Sequence, residues 1–408
     1  MINRRRLGVM LGINQTLTWG MSFYLPAIVT EPAAASLDVA PVAVLGAFSW
    51  SLLVAGFCSP QVGRWIDRHG GREVLIASIV LIAAGQALLA IAPNMAIWYA
   101  AWTVIGIGMA MGLYDAAFAT VGTLLGKQAG PTITGITLVA GFASTVFWSL
   151  GAALIGSLGW RGLLLVYVAI MLLANLPMVW LLTPKITPTP TGPTQTGPIQ
   201  TGPPPAETLQ SRATNPLAPG TAPVGRWMVV CLSGFFTLRW LITSAIAVHI
   251  LPLMQGIGLT LTQAVIVAGL IGPGQVAGRI LEWTVGSRIG LLTRARLGAL
   301  LFPLGALALL AGGPIAAIAF ALLYGMSNGI LTINRGTLPL AMFGPVGYAT
   351  LLGWLAVPVL LAQALAPTMT APLVTALPAL DVLLMCGGLA MLASLLLLPL
   401  RLPKETEP

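Results

Sequence analysis

The chain has 408 residues, 57% of them hydrophobic and 7% charged, with a mean hydropathy of +0.93. Soluble domains carry about 25% charged residues, so a water-facing surface cannot be built here, which excludes a soluble enzyme, a nucleic-acid-binding domain and a disordered scaffold. The net charge of +9 becomes a question of which membrane face the bases mark.

Charge-free runs set the elements, since about 20 apolar residues cross a bilayer core. The run between Arg6 and Glu31 holds a first span and that between Asp38 and Arg64 a second. The first is interrupted by Asn14, Gln15, Thr16 and Thr18 and is longer than a signal-peptide core, so it reads as a permanent helix. From Glu73 to Asp115 the run is twice as long and turns at Pro93-Asn94, giving the third and fourth spans. Lys127–Arg161 and Arg161–Lys185 hold the fifth and sixth.

Residues 183–225 carry Thr191-Gly192-Pro193, Thr196-Gly197-Pro198 and Thr201-Gly202-Pro203, a composition that buries nothing and reads as a linker. Six more spans are expected near 227–251, 262–285, 294–313, 315–338, 345–366 and 378–400. The reading is an all-α membrane protein of 12 transmembrane helices, with six-helix bundles at 1–182 and 226–408.

With the N-terminus in the cytoplasm, all of the 19 bases except Arg161 and Arg239 fall on the cytoplasmic face, while Glu31, Asp38 and Asp381 fall outside. The positive-inside rule favours this orientation, in a cell membrane with both termini cytoplasmic. Cys58, Cys231 and Cys386 lie in separate spans, without metal spacing. No cofactor is expected.

The halves repeat. Gly63-Arg64-x-x-Asp67 is matched by Gly278-Arg279-x-x-Glu282, Gly122-Thr123-Leu124 by Gly336-Thr337-Leu338, Gly130-Pro131 by Gly344-Pro345, and Gly108-x-x-x-Gly112 by Gly325-x-x-x-Gly329. The offset stays between 214 and 217 residues. Parallel six-helix halves suggest an alternating-access transporter.

The loop after the second span reads Gly63, Asp67, Arg68, Gly70 and Arg72 in the pattern G-x-x-x-D-[RK]-x-G-x-[RK]. It resembles the signature loop of the major facilitator superfamily, and Arg279 and Glu282 resemble its degenerate second copy. The resemblance implies two bundles rocking about a central site, with spans 1, 4, 7 and 10 lining the cavity. It also implies that Asp67 acts in a latch closing the cytoplasmic side. A carboxylate there can accept from helix N-termini or from Arg64, Arg68 and Arg72. The fifth span lacks the Gly-Pro pair of the family's antiporters, and no G-x-x-x-x-G-K-[ST] motif is present, so transport is expected to be secondary.

Charges inside spans are costly and need a partner or a task. Arg239 lies about 12 residues into the seventh span, roughly 18 Å deep and near the midplane. Trp240 and Thr243 share its neighbourhood. It is read as an anchor for an anionic substrate, or as a structural arginine. Tyr324, Asn328, Thr332 and Arg335 form a polar face on the tenth span. Asn14 and Thr18, with Trp19 alongside, form another on the first. Both faces fit substrate binding or interhelical packing. Asp115, beside Tyr114 at the inner end of the fourth span, is read as a proton-coupling carboxylate or as a gate pair with Arg335.

The reading is a monomeric secondary transporter in the lipid bilayer. It moves a small organic anion, monocarboxylate-like, with protons as the coupling ion. The alternative is an efflux transporter for drugs or other toxic compounds, with Arg239 structural. A membrane enzyme is disfavoured: there is no H-E-x-x-H, and the chain has two histidines.

Overall fold

The computed structural model describes residues 3–184, 223–286 and 288–402. The Pro/Thr/Gly-rich linker expected at 183–225 lies, from 185 to 222, outside the described residues. The described elements are helical, in an order that accounts for each expected span.

Helices α1 (Arg4–Met21) and α2 (Pro26–Leu37) form the first span, α3 (Pro41–His69) the second and α4 (Arg72–Ala90) the third. The fourth is broken into α5 (Met95–Gly112) and α6 (Tyr114–Leu125). The fifth comprises α7 (Gly130–Ala140) and the start of α8 (Ala143–Ile170). Helix α8 turns at Gly159, whose φ of 66° glycine alone adopts without strain. The sixth span continues through the rest of α8, a π turn at Met171–Asn175 and α9 (Leu176–Leu182). The second half consists of α10 (Pro223–Gly256), α11 (Leu261–Val285), α12 (Leu291–Ala308), α13 (Gly313–Phe343), α14 (Tyr348–Ala376) and α15 (Ala379–Leu395).

Among the described residues, nine helical stretches are long and apolar enough to cross a bilayer. One of these, Gly130–Leu182, is 53 residues long and holds two spans about Gly159. The shorter apolar helix Ala379–Leu395 supplies another. The remaining span is α1 with α2. Its polar run lowers its hydropathy, yet Asn14, Gln15 and Thr18 are all buried inside the protein. Helix starts are set by side-chain caps: Asn3 accepts from the Arg6 N–H, Asn94 from Ile97, and Thr260 forms a capping box with Gln263.

The two halves meet along α3 and α14. Ser59 and Pro60 approach Gly353 so closely that a methyl group there would collide with backbone, and Gly63 meets the Ala349 carbonyl in the same way. Such close approach is what small residues allow where lipid gives no hydrophobic drive for association. A buried apolar cluster runs through this interface, joining Ala55 and Ile66 of the first half to Tyr348, Leu352 and Leu355 of the second.

Candidate functional site

Two of the helix breaks face the same space. The chain leaves helical order at residues 22–25 between α1 and α2, and Leu113 is extended (φ −78°, ψ −174°) between α5 and α6. Phe23, Tyr24, Leu113, Tyr114 and Asp115, all at these breaks, line a cavity of about 270 Å³ between the halves. Polar side chains hold the second break open. The Gln15 Nε2 donates to the Gly112 carbonyl at 2.7 Å, satisfying an acceptor that the end of α5 exposes, and the Ser78 hydroxyl donates to the Gly108 carbonyl at 2.7 Å one turn earlier. Discontinuous helices of this kind place backbone ends and charges at the centre of a membrane protein.

Asp115 sits in the first turn of α6, where a carboxylate is favoured by the helix dipole. Arg335 of α13 grips it bidentately, Nε to Oδ1 at 2.9 Å and Nη2 to Oδ2 at 2.6 Å. The Arg335 guanidinium also lies 5.1 Å from the Trp240 ring centroid. The pair therefore ties the two halves together at the cavity wall, and Asp115 is the one acid lining that cavity among the described residues.

Arg279 of α11 also lines the cavity, although only 4% of its surface is exposed. Among the described residues its Nε and Nη1 have no hydrogen-bond acceptor, as is also true of Nε and Nη1 of Arg239. Tyr24, Tyr114, Trp19, Phe48, Phe118 and Trp240 supply aromatic walls, with Trp19 and Tyr114 4.9 Å apart. Gln275, Asn328, Thr332 and Gln363 supply polar ones. The site thus holds one engaged ion pair and one buried cation with free donors.

Not every residue singled out from the sequence reaches this cavity. Trp19, Tyr114, Asp115, Trp240, Thr243, Asn328, Thr332 and Arg335 line it. Asn14 and Thr18 point elsewhere: Asn14 donates to the Asn175 Oδ1 of the sixth span at 3.0 Å, and Thr18 is 1% exposed. Helix α1 places them on its packing face, one residue out of phase with the cavity face that carries Trp19. Tyr324 is buried on α13 away from the cavity, stacked on Phe320 of the same helix, with its hydroxyl donating to the Thr243 carbonyl at 3.3 Å.

Arg239 is also behind the wall. It is 1% exposed, donates through Nη2 to Ser327 at 3.0 Å and to the Asn328 Oδ1 at 3.4 Å, and lies 5.0 Å from the Phe302 ring centroid. Because arginine can only donate, Asn328 must turn its oxygen towards Arg239. Arg239 lies at the middle of α10 along its length, but position along a helix does not say which side of it a residue occupies. Arg279, the residue that does project into the cavity, resembled part of a surface loop in the sequence.

The signature loop is built differently from a salt-bridge cluster. The Asp67 Oδ1 accepts from the Ala349 N–H at 3.2 Å, and Oδ2 accepts from the Thr350 N–H at 2.8 Å and its hydroxyl at 2.6 Å. Asp67 in the first half therefore caps the N-terminus of α14 in the second, which of its two expected partner types is the helix end. Gly70 takes a φ of 83° to end α3. Arg72 turns to the sixth span, donating to the Trp180 carbonyl and to Glu73, while Arg68 is exposed. In the second copy, Glu282 pairs within its own half with Arg294 at 2.7 Å.

Among the described residues, the hydrogen bonds between halves are those of Asp67 and of Asp115–Arg335. Asp67 lies at the end that carries Arg64, Arg68, Arg72 and Lys127, whereas Asp115 lies 12 residues before Lys127, about 18 Å further in and near the middle of the Met95–Gln128 span rather than at its inner end. Asp67→Asn puts a donor against a backbone N–H and removes the charge. It should weaken closure of that end by about 1–2 kcal/mol. Spin labels at Lys127→Cys and Val346→Cys should then report a longer distance distribution than in the parent protein. An unchanged distribution would show that Asp67 does not hold this end shut.

The profile of the Major Facilitator Superfamily matches residues 10–367. The chain belongs to this superfamily. As a major facilitator protein, it superimposes on the human organic anion transporter MFSD10 with a TM-score of 0.68, covering 97% of this chain and 100% of the other at 16% identity. FucP in the outward conformation gives the same TM-score, covering 96% and 97% at 15% identity. These likenesses establish the shared fold. In sequence, the chain is 31% identical over 139 residues to a chloramphenicol efflux pump of Mycobacterium tuberculosis. That match spans 34% of this major facilitator chain and 33% of the relative. The chain is thus a multi-pass membrane transporter of this superfamily.

Proposed function

We propose that this transporter moves a small organic anion, monocarboxylate-like in charge and size, by alternating access coupled to protons. The observation that carries the reading is Arg279. A buried guanidinium without acceptors for two of its nitrogens is costly, and an oxyanion supplies what it lacks. The cavity's own acid cannot serve, since Arg335 holds Asp115. Aromatic walls beside Arg279 suit the apolar part of such an anion, and Asn328, its oxygen turned to Arg239, offers its N–H groups.

In this reading the bundles 1–182 and 226–408 rock about the cavity as a monomer, with the arginine-rich end cytoplasmic in accord with the positive-inside rule. The conformation in hand is then closed to the cytoplasm, with Asp67 as its latch. Protonation of Asp115 would release Arg335 and so couple proton entry to opening. The runner-up is drug efflux, favoured by the likeness to the chloramphenicol pump and by the aromatic walls. A thermal-shift screen of the purified protein separates the two. Aromatic and aliphatic monocarboxylates should stabilise it, by about 2.7 kcal/mol at a hundredfold excess over Kd, and Arg279→Gln should abolish the shift. Stabilisation by chloramphenicol or cationic compounds alone would overturn the anion reading.

A further inference from the structure

A shallow surface groove lies between α1 and α9 at the arginine-rich end, separate from the central cavity. Arg5 and Arg6 stand at its rim, and Val9, Ile13, Met178 and Leu182 form its floor. No acid lines it. Val9 is 48% exposed and Ile13 41%, an apolar strip continuing directly from the two cationic heads. At 1.5 Å per residue, Ile13 lies about 10–12 Å further along α1 than the arginines. That is the order in which a phospholipid presents its phosphate and then its acyl chain.

We propose that this groove is a binding site for an anionic phospholipid, with the phosphate held by Arg5 and Arg6 and an acyl chain along Val9, Ile13 and Met178. Charge complementarity selects this occupant. Guanidinium forks match phosphate geometry, and a zwitterionic headgroup would bring its cation against the same arginines. A soluble phosphate would engage the rim and leave the floor uncovered. The neighbouring segment 185–222 is a poor alternative occupant: it holds one acid, Glu207, within proline-, threonine- and glycine-rich sequence. The site does not depend on which substrate the central cavity takes.

The test uses the full chain in detergent, titrated with mixed micelles of phosphatidylglycerol or phosphatidylcholine and, separately, with glycerol phosphate, reading bound adducts by native mass spectrometry. An arginine near an anionic lipid is worth about fivefold in affinity, so Arg5→Gln with Arg6→Gln should weaken the tightest phosphatidylglycerol adduct roughly 25-fold. Ile13→Trp, which fills the floor and keeps both charges, should weaken it as well. Both variants should keep the parent melting temperature in phosphatidylcholine, and glycerol phosphate should not compete at equal concentration. Equal binding of the two lipids, an unchanged adduct in the double variant, or full competition by glycerol phosphate would each overturn the lipid site.

Discussion

Asp115→Asn is expected to open the arginine-rich end and to uncouple transport from protons. The substitution leaves Arg335, 11% exposed in its side chain, without its bidentate partner. Removing one member of such a pair costs about 3–5 kcal/mol. Since the pair joins α6 to α13, that cost falls on the closed arrangement. A loss of about 3 kcal/mol shifts a two-state equilibrium roughly 150-fold. In a cysteine-free background, Thr332→Cys lines the cavity from α13. It should be modified faster by an impermeant thiol reagent applied from the arginine-rich side in Asp115→Asn than in the parent. Substrate exchange should persist while accumulation driven by a proton gradient is lost. Retained accumulation would remove Asp115 from coupling, and an unchanged labelling rate would remove it from the gate.

Arg279→Gln is expected to leave the fold intact and to remove anion binding. The parent side chain is 4% exposed with two unpartnered nitrogens, so its neutral replacement should hold or raise the melting temperature. Binding should behave oppositely. A desolvated charge pair truncated on one side loses about 2–5 kcal/mol, which is at least thirtyfold in Kd. Arg279→Lys keeps the charge but not the planar fork, and an intermediate affinity is expected. A fall in melting temperature together with unchanged affinity would make Arg279 a structural residue.

The contrast between Arg239 and Arg279 shows where sequence reading stops. Span number and the signature loop were legible because each is a one-dimensional pattern: charge-free length and motif spacing. The Asp115–Arg335 contact, one of the two readings of Asp115, was also legible, since the family resemblance puts the fourth and tenth spans on the cavity and each carries one charge. What a helix's azimuth decides was not. Arg239 and Trp240 are consecutive, yet Trp240 lines the cavity and Arg239 packs on Ser327 and Phe302 behind it. Asn14 fitted either substrate binding or interhelical packing in the sequence, and its bond to Asn175 is of the second kind. The break at Leu113 carried no sequence mark, because the side chains that hold it, Gln15 and Ser78, come from other spans.

Flux through the reconstituted protein tests the central claim most directly. With an imposed proton gradient across proteoliposomes, a radiolabelled monocarboxylate should accumulate in the parent and fail to accumulate in Arg279→Gln, while chloramphenicol and organic cations should not move in either. Gradient-driven movement of chloramphenicol or a cation that survives Arg279→Gln, with no carboxylate flux, would contradict the account.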